Sequence, residues 1–325
     1  MQSIKYYVDT NPDKKGIFIL NGSANLLNLK KSPETLAGRL VELTLFPFSS
    51  KEKNRKSDEN VVDLFFKTDI SSIKIEKHSI NKIYTHIIEG GYPLSFLAKN
   101  IDERALWFNS YISTYIERDI RSIGELRDIS NFIRFYNIIF PRSANILNKL
   151  ELSKLAGLNI ETVENYLTLL ENVYQIYILR PFFANIQKRF IKSPKIYVTD
   201  SGILCHILGI RTPQELINSN YKGAIFETYV LSELLKHISY SNEITKIFYY
   251  RTHDKKEIDF VLERYDRRIL IEVKSTMTVN KKDFSSIINF QKTIDNSATG
   301  LIFYCGDEIL NFDKNLFAVP INIFM

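Results

Sequence analysis

Two acidic residues interrupt the apolar pattern of EIDFVLERYDRRILIEVKS, residues 257–275. Apolar residues at alternate positions in each half of this segment predict two β-strands joined as a hairpin. A turn at residues 265–266 would place Asp259 directly opposite Glu272, where the Cβ atoms of cross-strand neighbours are about 5 Å apart. A shift of the register by one residue would instead place the two acids on different faces of the hairpin.

Opposed carboxylates indicate a cation site, because like charges on facing strands are destabilising unless something neutralises them. A divalent cation such as Mg²⁺ would neutralise Asp259 and Glu272. Lys274 lies two residues after Glu272 on the same face, where its ammonium would hold a water or stabilise developing negative charge. The alternative is a solvated hairpin in which Lys274 forms salt bridges with its neighbours.

The order of these residues resembles the active-site signature of the PD-(D/E)XK, or restriction-endonuclease-like, nucleases. Residues 223–238 predict a preceding helix, as often found in that fold, and this helix contains Glu227. The resemblance implies that Asp259 and Glu272 are catalytic residues that hold Mg²⁺, that Lys274 positions the attacking water, and that Glu227 assists as an outer metal ligand. It also implies a mixed sheet with flanking helices.

Composition leaves several protein classes open and makes others unexpected. The chain has 325 residues, a formal net charge of +6 and 45% hydrophobic residues, which suffices for two or three packed units. No apolar run approaches the roughly 20 residues that span a bilayer, and the N-terminus lacks the apolar core of a signal peptide. We therefore expect a cytoplasmic location and no membrane partner. Two distant cysteines predict neither a disulfide framework nor a zinc site.

The middle of the chain predicts a winged helix. Two amphipathic helices flank a Gly-Leu-Asn turn within residues 152–176, and two strands follow. The second helix is expected to bury Ile160, Val163, Tyr166, Leu167 and Leu170. Between the strands lies a basic segment whose charged residues would contact nucleic-acid phosphates, with a solvated turn as the alternative. These residues are Lys188, Arg189, Lys192 and Lys195.

The exposed face of that second helix argues against base recognition. It presents Glu161 and Glu164, whose carboxylates repel phosphates and offer no donors to base edges. A winged helix with such a face is equally suited to a protein partner.

Eight motifs taken in order resemble a family of prokaryotic AAA+ ATPases with a C-terminal domain of unknown function, number 4143. The motifs are GSAN, LAGR, GGYP, YIERDI, LAGLNIETVENYL, KRFIKSPKIYVTDSGI, GAIFETYV and EIDF followed by IEVK. The resemblance implies an α/β chain of four parts. They are a partial AAA+ ATPase core (residues 1–84), a helical lid (85–127), a winged helix (128–208) and a restriction-endonuclease-like mixed sheet (221–325).

The sequence departs from that family at the nucleotide site. No G-x-x-x-x-G-K-[ST] phosphate loop occurs in it, so ATP, the cofactor of the family, lacks its principal site and ATP hydrolysis by this chain alone is not expected. By resemblance, Ser23 and Asn25 fall at the polar sensor turn, and Arg39 could reach a γ-phosphate. The alternative for Arg39 is a salt bridge with Glu42.

A core that lacks its first half would expose a strand edge and apolar surface. Residues 16–29 predict a strand, and residues 32–49 predict a helix followed by a strand. These elements are expected to be unstable, to form a homo-oligomer, or to pair with a separately encoded ATPase half. A gene fragment, a wrongly chosen start and a split protein all fit the sequence.

The sequence leaves three functions open. We expect a DNA-associated, Mg²⁺-binding relative of AAA+ ATPases. The alternatives are an active Mg²⁺-dependent nuclease and a non-catalytic protein-interaction module.

Overall fold

The computed structural model describes most of the chain. The described residues are 2–23, 38–56, 60–115, 128–183, 192–254 and 256–325. Within these ranges, no helix is both long enough and apolar enough to cross a membrane.

Helices predominate before residue 241 and strands after it. The helices of the described ranges are α1 (Gln2–Thr10), α2 (Ser50–Lys53), α3 (Val61–Lys67), α4 (Ile80–Glu89), α5 (Pro93–Phe96), α6 (Ile101–Thr114), α7 (Ile129–Ile139), α8 (Lys149–Ala156), α9 (Ile160–Asn172), α10 (Ser201–Ile207), α11 (Pro213–Asn218), α12 (Lys222–Tyr240) and α13 (Ser285–Thr293). The strands are β1 (Asn145–Ile146), β2 (Ile176–Leu179), β3 (Lys195–Val198), β4 (Lys246–Arg251), β5 (Glu257–Arg264), β6 (Arg267–Val273), β7 (Thr299–Tyr304), β8 (Leu310–Asp313) and β9 (Leu316–Pro320). Short 3-10 turns lie at Ile70–Ser72, Phe140–Arg142, Lys281–Phe284 and Ile321–Phe324.

The N-terminal region differs from its prediction. Residues 16–23 and 38–49 form no strand, although their apolar residues predict two. Ile19 and Leu45 are each 93% exposed, so these side chains do not contribute to a core. A strand needs a neighbouring strand to accept its backbone hydrogen bonds, and the described residues beside these segments offer none.

Side-chain caps mark the starts of several helices in the helical region. Asn100 accepts a hydrogen bond from the Glu103 amide at the start of α6, and Asn159 accepts one from the Thr162 amide at the start of α9. Ala105 and Phe108 lie on the buried face of α6.

A three-stranded sheet packs beside α7, α8 and α9 in strand order β1-β3-β2. Gly157, with φ +62°, ends α8 in the left-handed conformation and allows the turn into α9. The predicted buried face of α9 is confirmed at four positions, but Ile160 is exposed because it is the first residue of the helix. The four buried residues are Val163, Tyr166, Leu167 and Leu170.

A six-stranded mixed sheet forms the C-terminal part in the order β4-β5-β6-β7-β9-β8. Strands β4 and β6 each run antiparallel to β5. Strands β6, β7 and β9 run parallel to one another. Apolar residues of α12 cover one face of the sheet, and those of α13 cover the other. A sheet buried on both faces explains why its central strands are apolar at nearly every position.

The predicted hairpin register is confirmed. Phe260 pairs with Ile271 and Arg264 pairs with Arg267, so the turn consists of Tyr265 and Asp266. Tyr265 has φ +54°, a left-handed conformation at the first turn position that matches the twist of a two-residue hairpin.

A β-bulge in β5 was not predicted. Phe248 pairs with Val261 whereas Tyr250 pairs with Ile258, so β5 contains one residue more than β4 over this stretch. The bulge includes Asp259. Ile258 packs on the face of the sheet that α13 covers, whereas Phe260, two residues later, packs on the face that α12 covers.

The two sheets are joined by backbone hydrogen bonds. Beyond β2, the Phe182 amide donates to the Tyr249 carbonyl at 2.6 Å, and the Tyr249 amide donates to the Arg180 carbonyl at 3.1 Å. Phe182 is buried against Phe248 and Phe290 of the larger sheet and its helix. This junction sets the position of β3 relative to β5.

Candidate functional site

Four carboxylates converge where α12, β5 and β6 meet. Glu227 comes from α12, Glu257 and Asp259 from β5, and Glu272 from β6. Each of the four carboxylates lies within 4 Å of a lysine ammonium. The negative charges of Asp259 and Glu227 also act on Glu272. We call these four residues the acid cluster.

Asp259 and Glu272 form the centre of the acid cluster. Both are less than one-tenth exposed. Asp259 accepts a hydrogen bond at Oδ2 from the Val273 amide at 2.8 Å, which ties its carboxylate to the neighbouring strand. Its other oxygen, Oδ1, is directed toward the lysine described below.

Burial and mutual repulsion raise the pKa of these acids. Burial, reinforced by the charge of Asp259, raises the pKa of Glu272 to about 8 and that of Glu227 to about 7. Burial also raises the pKa of Asp259, although Lys195 opposes the increase. Desolvation disfavours the ionised form of an acid and a neighbouring carboxylate adds to the cost, so the cluster requires nearby cations near neutral pH.

Lys274 supplies one of these cations. Its Nζ lies 3.5 Å from Glu272 Oε2, and its side chain is 37% exposed. Burial lowers the pKa of Lys274, but the Glu272 and Asp259 carboxylates outweigh burial and raise it. Lys274 is therefore a charged donor that solvent can reach at the edge of the acid cluster.

Lys195 supplies the second cation from outside the six-stranded sheet. Its Nζ lies 2.8 Å from Glu227 Oε1 and 3.9 Å from Asp259 Oδ1, and it also forms a close ion pair with Glu257. The side chain is 3% exposed. Burial lowers its pKa, but Glu227, Asp259 and Glu257 together raise it above the ordinary value, so Lys195 is charged in the folded chain.

Two tyrosines surround the lysine. Tyr197 donates from its hydroxyl to Glu227 Oε1 at 2.5 Å, and Tyr249 donates to the Ser193 carbonyl. The Lys195 ammonium lies 6.0 Å from the Tyr197 ring centre and 5.8 Å from that of Tyr249. Aromatic rings at this distance favour a cation electrostatically.

The ligand chemistry fits Mg²⁺ at two carboxylates. Mg²⁺ prefers oxygen ligands and is often held by one or two carboxylates together with waters and phosphate oxygens, which Asp259 and Glu272 would supply. Across the described ranges, however, no three Asp, Glu, His or Cys side chains are arranged to hold a metal ion together. Glu227, the predicted outer ligand, is engaged by Lys195 and Tyr197 instead.

Of the predicted nucleic-acid residues, the structure describes Lys192 and Lys195. Lys192 is exposed, whereas Lys188 and Arg189 lie outside the described residues. Lys195 is buried among carboxylates, so its assignment as a surface contact for phosphates is wrong. Its position on β3, facing β5, explains the difference.

Of the predicted nucleotide-sensor residues, the structure describes Ser23 and Arg39. The Ser23 carbonyl accepts a hydrogen bond from the Tyr115 hydroxyl at 3.1 Å, and Asn25 lies outside the described residues. Arg39 donates to Asp9, with Nε 2.5 Å from Oδ1 and Nη2 3.2 Å from Oδ2. Asp9 on α1 is therefore an ion-pair partner of Arg39, in the role that was expected of Glu42.

Sequence reasoning missed Glu257 and Tyr197 and misread Lys195. The sequence could have indicated Glu257 as a site residue, since it is an acid two residues before Asp259 in the same strand. The sequence indicates Lys195 and Tyr197 more weakly, as a lysine and a tyrosine in a short apolar strand. Their contacts with Glu227, 32 and 30 positions later in the chain, were not readable from either position.

Comparison with known families agrees with the order of motifs. The AAA domain family matches residues 1–54, and the domain of unknown function DUF4143 matches residues 222–324. These two matches support an AAA-family ATPase-like protein with a C-terminal DUF4143 domain. Another domain of unknown function, DUF8612, matches residues 80–214. Lys195 thus belongs to the DUF8612 match, and the whole acid cluster belongs to DUF4143.

Similar proteins are known from several bacteria. Uncharacterized proteins of Mycobacterium tuberculosis and Mycobacterium bovis are each 29% identical over 235 residues, which is 72% of this chain and 51% of theirs. An uncharacterized protein of Haemophilus influenzae is 24% identical over 287 residues, 85% of this chain and 63% of its own. The chain spans about half the length of the mycobacterial relatives that it matches.

Proposed function

We propose that this AAA-family ATPase-like chain is DNA-associated and that its DUF4143 domain carries a Mg²⁺-binding, nuclease-like site. The observation that carries the proposal is the hairpin register, which brings Asp259 beside Glu272, together with the Lys274 ammonium 3.5 Å from Glu272. Acid, acid and lysine in one partly accessible group are the residue types required for phosphodiester hydrolysis.

The surrounding architecture supports the same proposal. A mixed sheet with helices on both faces contains the hairpin, and the preceding helix α12 contributes Glu227. A helix-turn-helix followed by a small sheet precedes this domain, which is consistent with a winged helix. The sequence has no phosphate loop, so the proposal includes no ATP hydrolysis by this chain.

Each residue has a defined task in the proposed reaction. Asp259, fixed by the Val273 amide, and Glu272 would bind Mg²⁺, which when bound activates a water and shields the phosphate charge. Lys274 would orient the water and stabilise negative charge on the phosphate through its partly exposed ammonium. A bulge includes Asp259, and bulges are common beside active sites.

Cleavage of plasmid and single-stranded DNA without ATP tests this proposal. Mg²⁺ or Mn²⁺ is raised until the rate no longer increases, and wild type is compared with Asp259→Asn and Lys274→Met. Removing a metal carboxylate or a charge-stabilising group costs about a hundredfold or more in rate, so we expect both variants to lose nearly all cleavage.

Lys282→Met is the matched control, because Lys282 is an exposed lysine of the same domain. Its cleavage rate should equal that of wild type. Absence of cleavage by wild type at every metal concentration would remove the catalytic part of the proposal. Equal rates for wild type and Asp259→Asn would trace the activity to a contaminant or to another site.

A protein-interaction module is the second candidate, favoured by the acidic surface of α9. Glu161 and Glu164 are exposed there, and Glu164 Oε1 lies 2.8 Å from Lys149 Nζ. A surface of this charge suits a basic protein partner better than DNA. Fluorescence anisotropy with labelled duplex DNA separates the candidates, since DNA association predicts an affinity that falls steeply with salt and the module predicts no binding.

A further inference from the structure

The acid cluster is neutralised by a lysine from the neighbouring domain. Lys195 lies on β3, within the residues matched by DUF8612, whereas its carboxylate partners lie in DUF4143. We propose that Lys195 competes with a divalent cation for the acid cluster, so that the site binds metal tightly only when this ammonium is removed or withdrawn. This inference rests on the proposed function and adds a mode of regulation to the same site.

Geometry places the ammonium beside one of the two carboxylates that would hold the metal. It contacts Glu227 and Glu257 and lies 3.9 Å from Asp259 Oδ1. A metal ion bound by Asp259 and Glu272 would therefore lie close to the Lys195 ammonium. Two cations this close repel each other strongly, because charge–charge interactions are stronger in a poorly solvated interior.

Strand pairing and hydrogen bonds between the two domains hold Lys195 beside the acids. β3 pairs with β2 along its length, and the chain after β2 pairs with β4 through Phe182 and Tyr249. Ser143 links the same region to α12, since its Oγ lies 2.7 Å from Thr228 Oγ1 and accepts a hydrogen bond from the Val198 amide. Withdrawal of Lys195 therefore requires movement of the DUF8612 region relative to the DUF4143 sheet.

A binding partner that displaces this region would open the site to metal. The Tyr249 hydroxyl bonds the Ser193 carbonyl, two residues before Lys195. The exposed Lys192 lies one residue before Ser193. A partner bound at Lys192 would act on the stretch that carries Lys195.

Calorimetric titration of the full chain with Mn²⁺ tests the competition. We expect Lys195→Met, which removes the charge but keeps a side chain of similar length, to bind Mn²⁺ at least about tenfold more tightly than wild type. Lys195→Arg keeps a cation and should remain weak. Lys192→Met is the matched control, because Lys192 is exposed and near in sequence. Equal or weaker binding by Lys195→Met than by wild type would overturn the proposal.

Thermal denaturation guards against a folding defect. Lys195→Met leaves buried carboxylates without their cation, so we expect a lowered melting temperature that Mn²⁺ raises far more than it raises that of wild type. If this variant does not fold, Lys195→Met combined with Glu227→Gln removes one charge of each sign. The double variant retains Glu257, Asp259 and Glu272 and should still bind Mn²⁺ more tightly than wild type. Failure of both variants to show any Mn²⁺ effect would contradict competition.

The result is distinguishable from failure of the proposed function. Tight Mn²⁺ binding by Lys195→Met without any DNA cleavage would keep the competition and reject the nuclease. DNA cleavage by wild type, with Mn²⁺ affinity equal to that of Lys195→Met, would keep the nuclease and reject the competition.

Discussion

At the scale of single residues, the molecule depends on buried ionisable groups whose partners come from distant parts of the chain. Lys53 is an example outside the acid cluster. Its ammonium donates to the carbonyls of His86 and Gly90 at 3.2 and 3.0 Å and lies 3.7 Å from Glu89. Burial, only partly offset by Glu89, lowers the pKa of Lys53 to about 8. Such groups make the stability of the chain dependent on pH.

His86 predicts acid sensitivity of folding. Burial on α4, with additional repulsion from Lys53, Lys82 and His78, lowers its pKa to about 3. The unfolded chain binds a proton near pH 6.5 while the folded chain does not, so the stability is fully present above about pH 6.5 and is lost as pH falls toward 3. Between about pH 7.5 and about pH 5, His86 should account for a loss of about 2 kcal/mol in the free energy of unfolding.

Urea denaturation of wild type and His86→Leu at these two pH values measures this loss. The difference in unfolding free energy between the two pH values should be smaller in the variant. His253→Leu provides the control, because His253 is an exposed histidine, and it should retain the wild-type difference. An unchanged pH difference in His86→Leu would show that His86 does not couple folding to pH.

At the scale of elements, the GGYP motif forms the corner that joins α4 to α5. Gly90 has φ +65° and ends α4, and the Gly91 amide donates to Asp200 Oδ2 at 2.7 Å. Asp200 also caps α10 by accepting from the Ile203 amide. The corner therefore ties two helices to one buried carboxylate, and a side chain on Gly90 would lie 2.2 Å from Asp200 Oδ1.

Gly90→Ala should be strongly destabilising. The new Cβ meets the carboxylate of Asp200 and also requires a positive φ that alanine rarely adopts. We expect a cost of about 2–4 kcal/mol in the free energy of unfolding, measured by chemical denaturation. Gly223→Ala is the matched control, because Gly223 is within α12 and no neighbouring atom lies within 4 Å of the position that a Cβ would take there. It should be neutral or stabilising by up to about 1 kcal/mol. Equal costs for the two variants would contradict this account of the corner.

At the scale of the whole molecule, the folded core and the N-terminal region have different characters. Buried apolar residues run continuously from α3 to the last 3-10 turn. In contrast, Ile19, Val41, Leu43 and Leu45 are each at least 86% exposed. Exposed apolar side chains commonly mark an association surface when they are contiguous.

These side chains predict self-association of the isolated chain. Sedimentation velocity should show an average mass that rises with protein concentration. Ile19→Lys combined with Leu45→Lys should reduce that rise, because charge opposes the burial of this surface. Ile244→Lys is the matched control, since Ile244 is 82% exposed at a distant position, and it should behave as wild type. A monomer at every concentration would contradict the prediction.

Patterns along the chain were sufficient to predict the elements whose stabilising contacts are local. The strands of the hairpin follow from apolar alternation, and the register that brings Asp259 beside Glu272 follows once the turn is placed at Tyr265 and Asp266. Helix α12 follows from its four-residue apolar spacing. These features depend on residues only a few positions apart or directly across a short turn, so the amino-acid sequence contains the information needed to predict them.

Packing between segments that are distant in sequence determines which groups surround the acid cluster. The bulge at Asp259 depends on how β4 pairs with β5, and the entry of Lys195 depends on the junction between the two sheets. Residues 16–23 and 38–49 likewise form no strand, because a strand depends on a neighbour that local pattern cannot supply. A lysine in a sequence predicts an exposed position. Only the packing of distant strands makes Lys195 the buried counter-cation of the acid cluster.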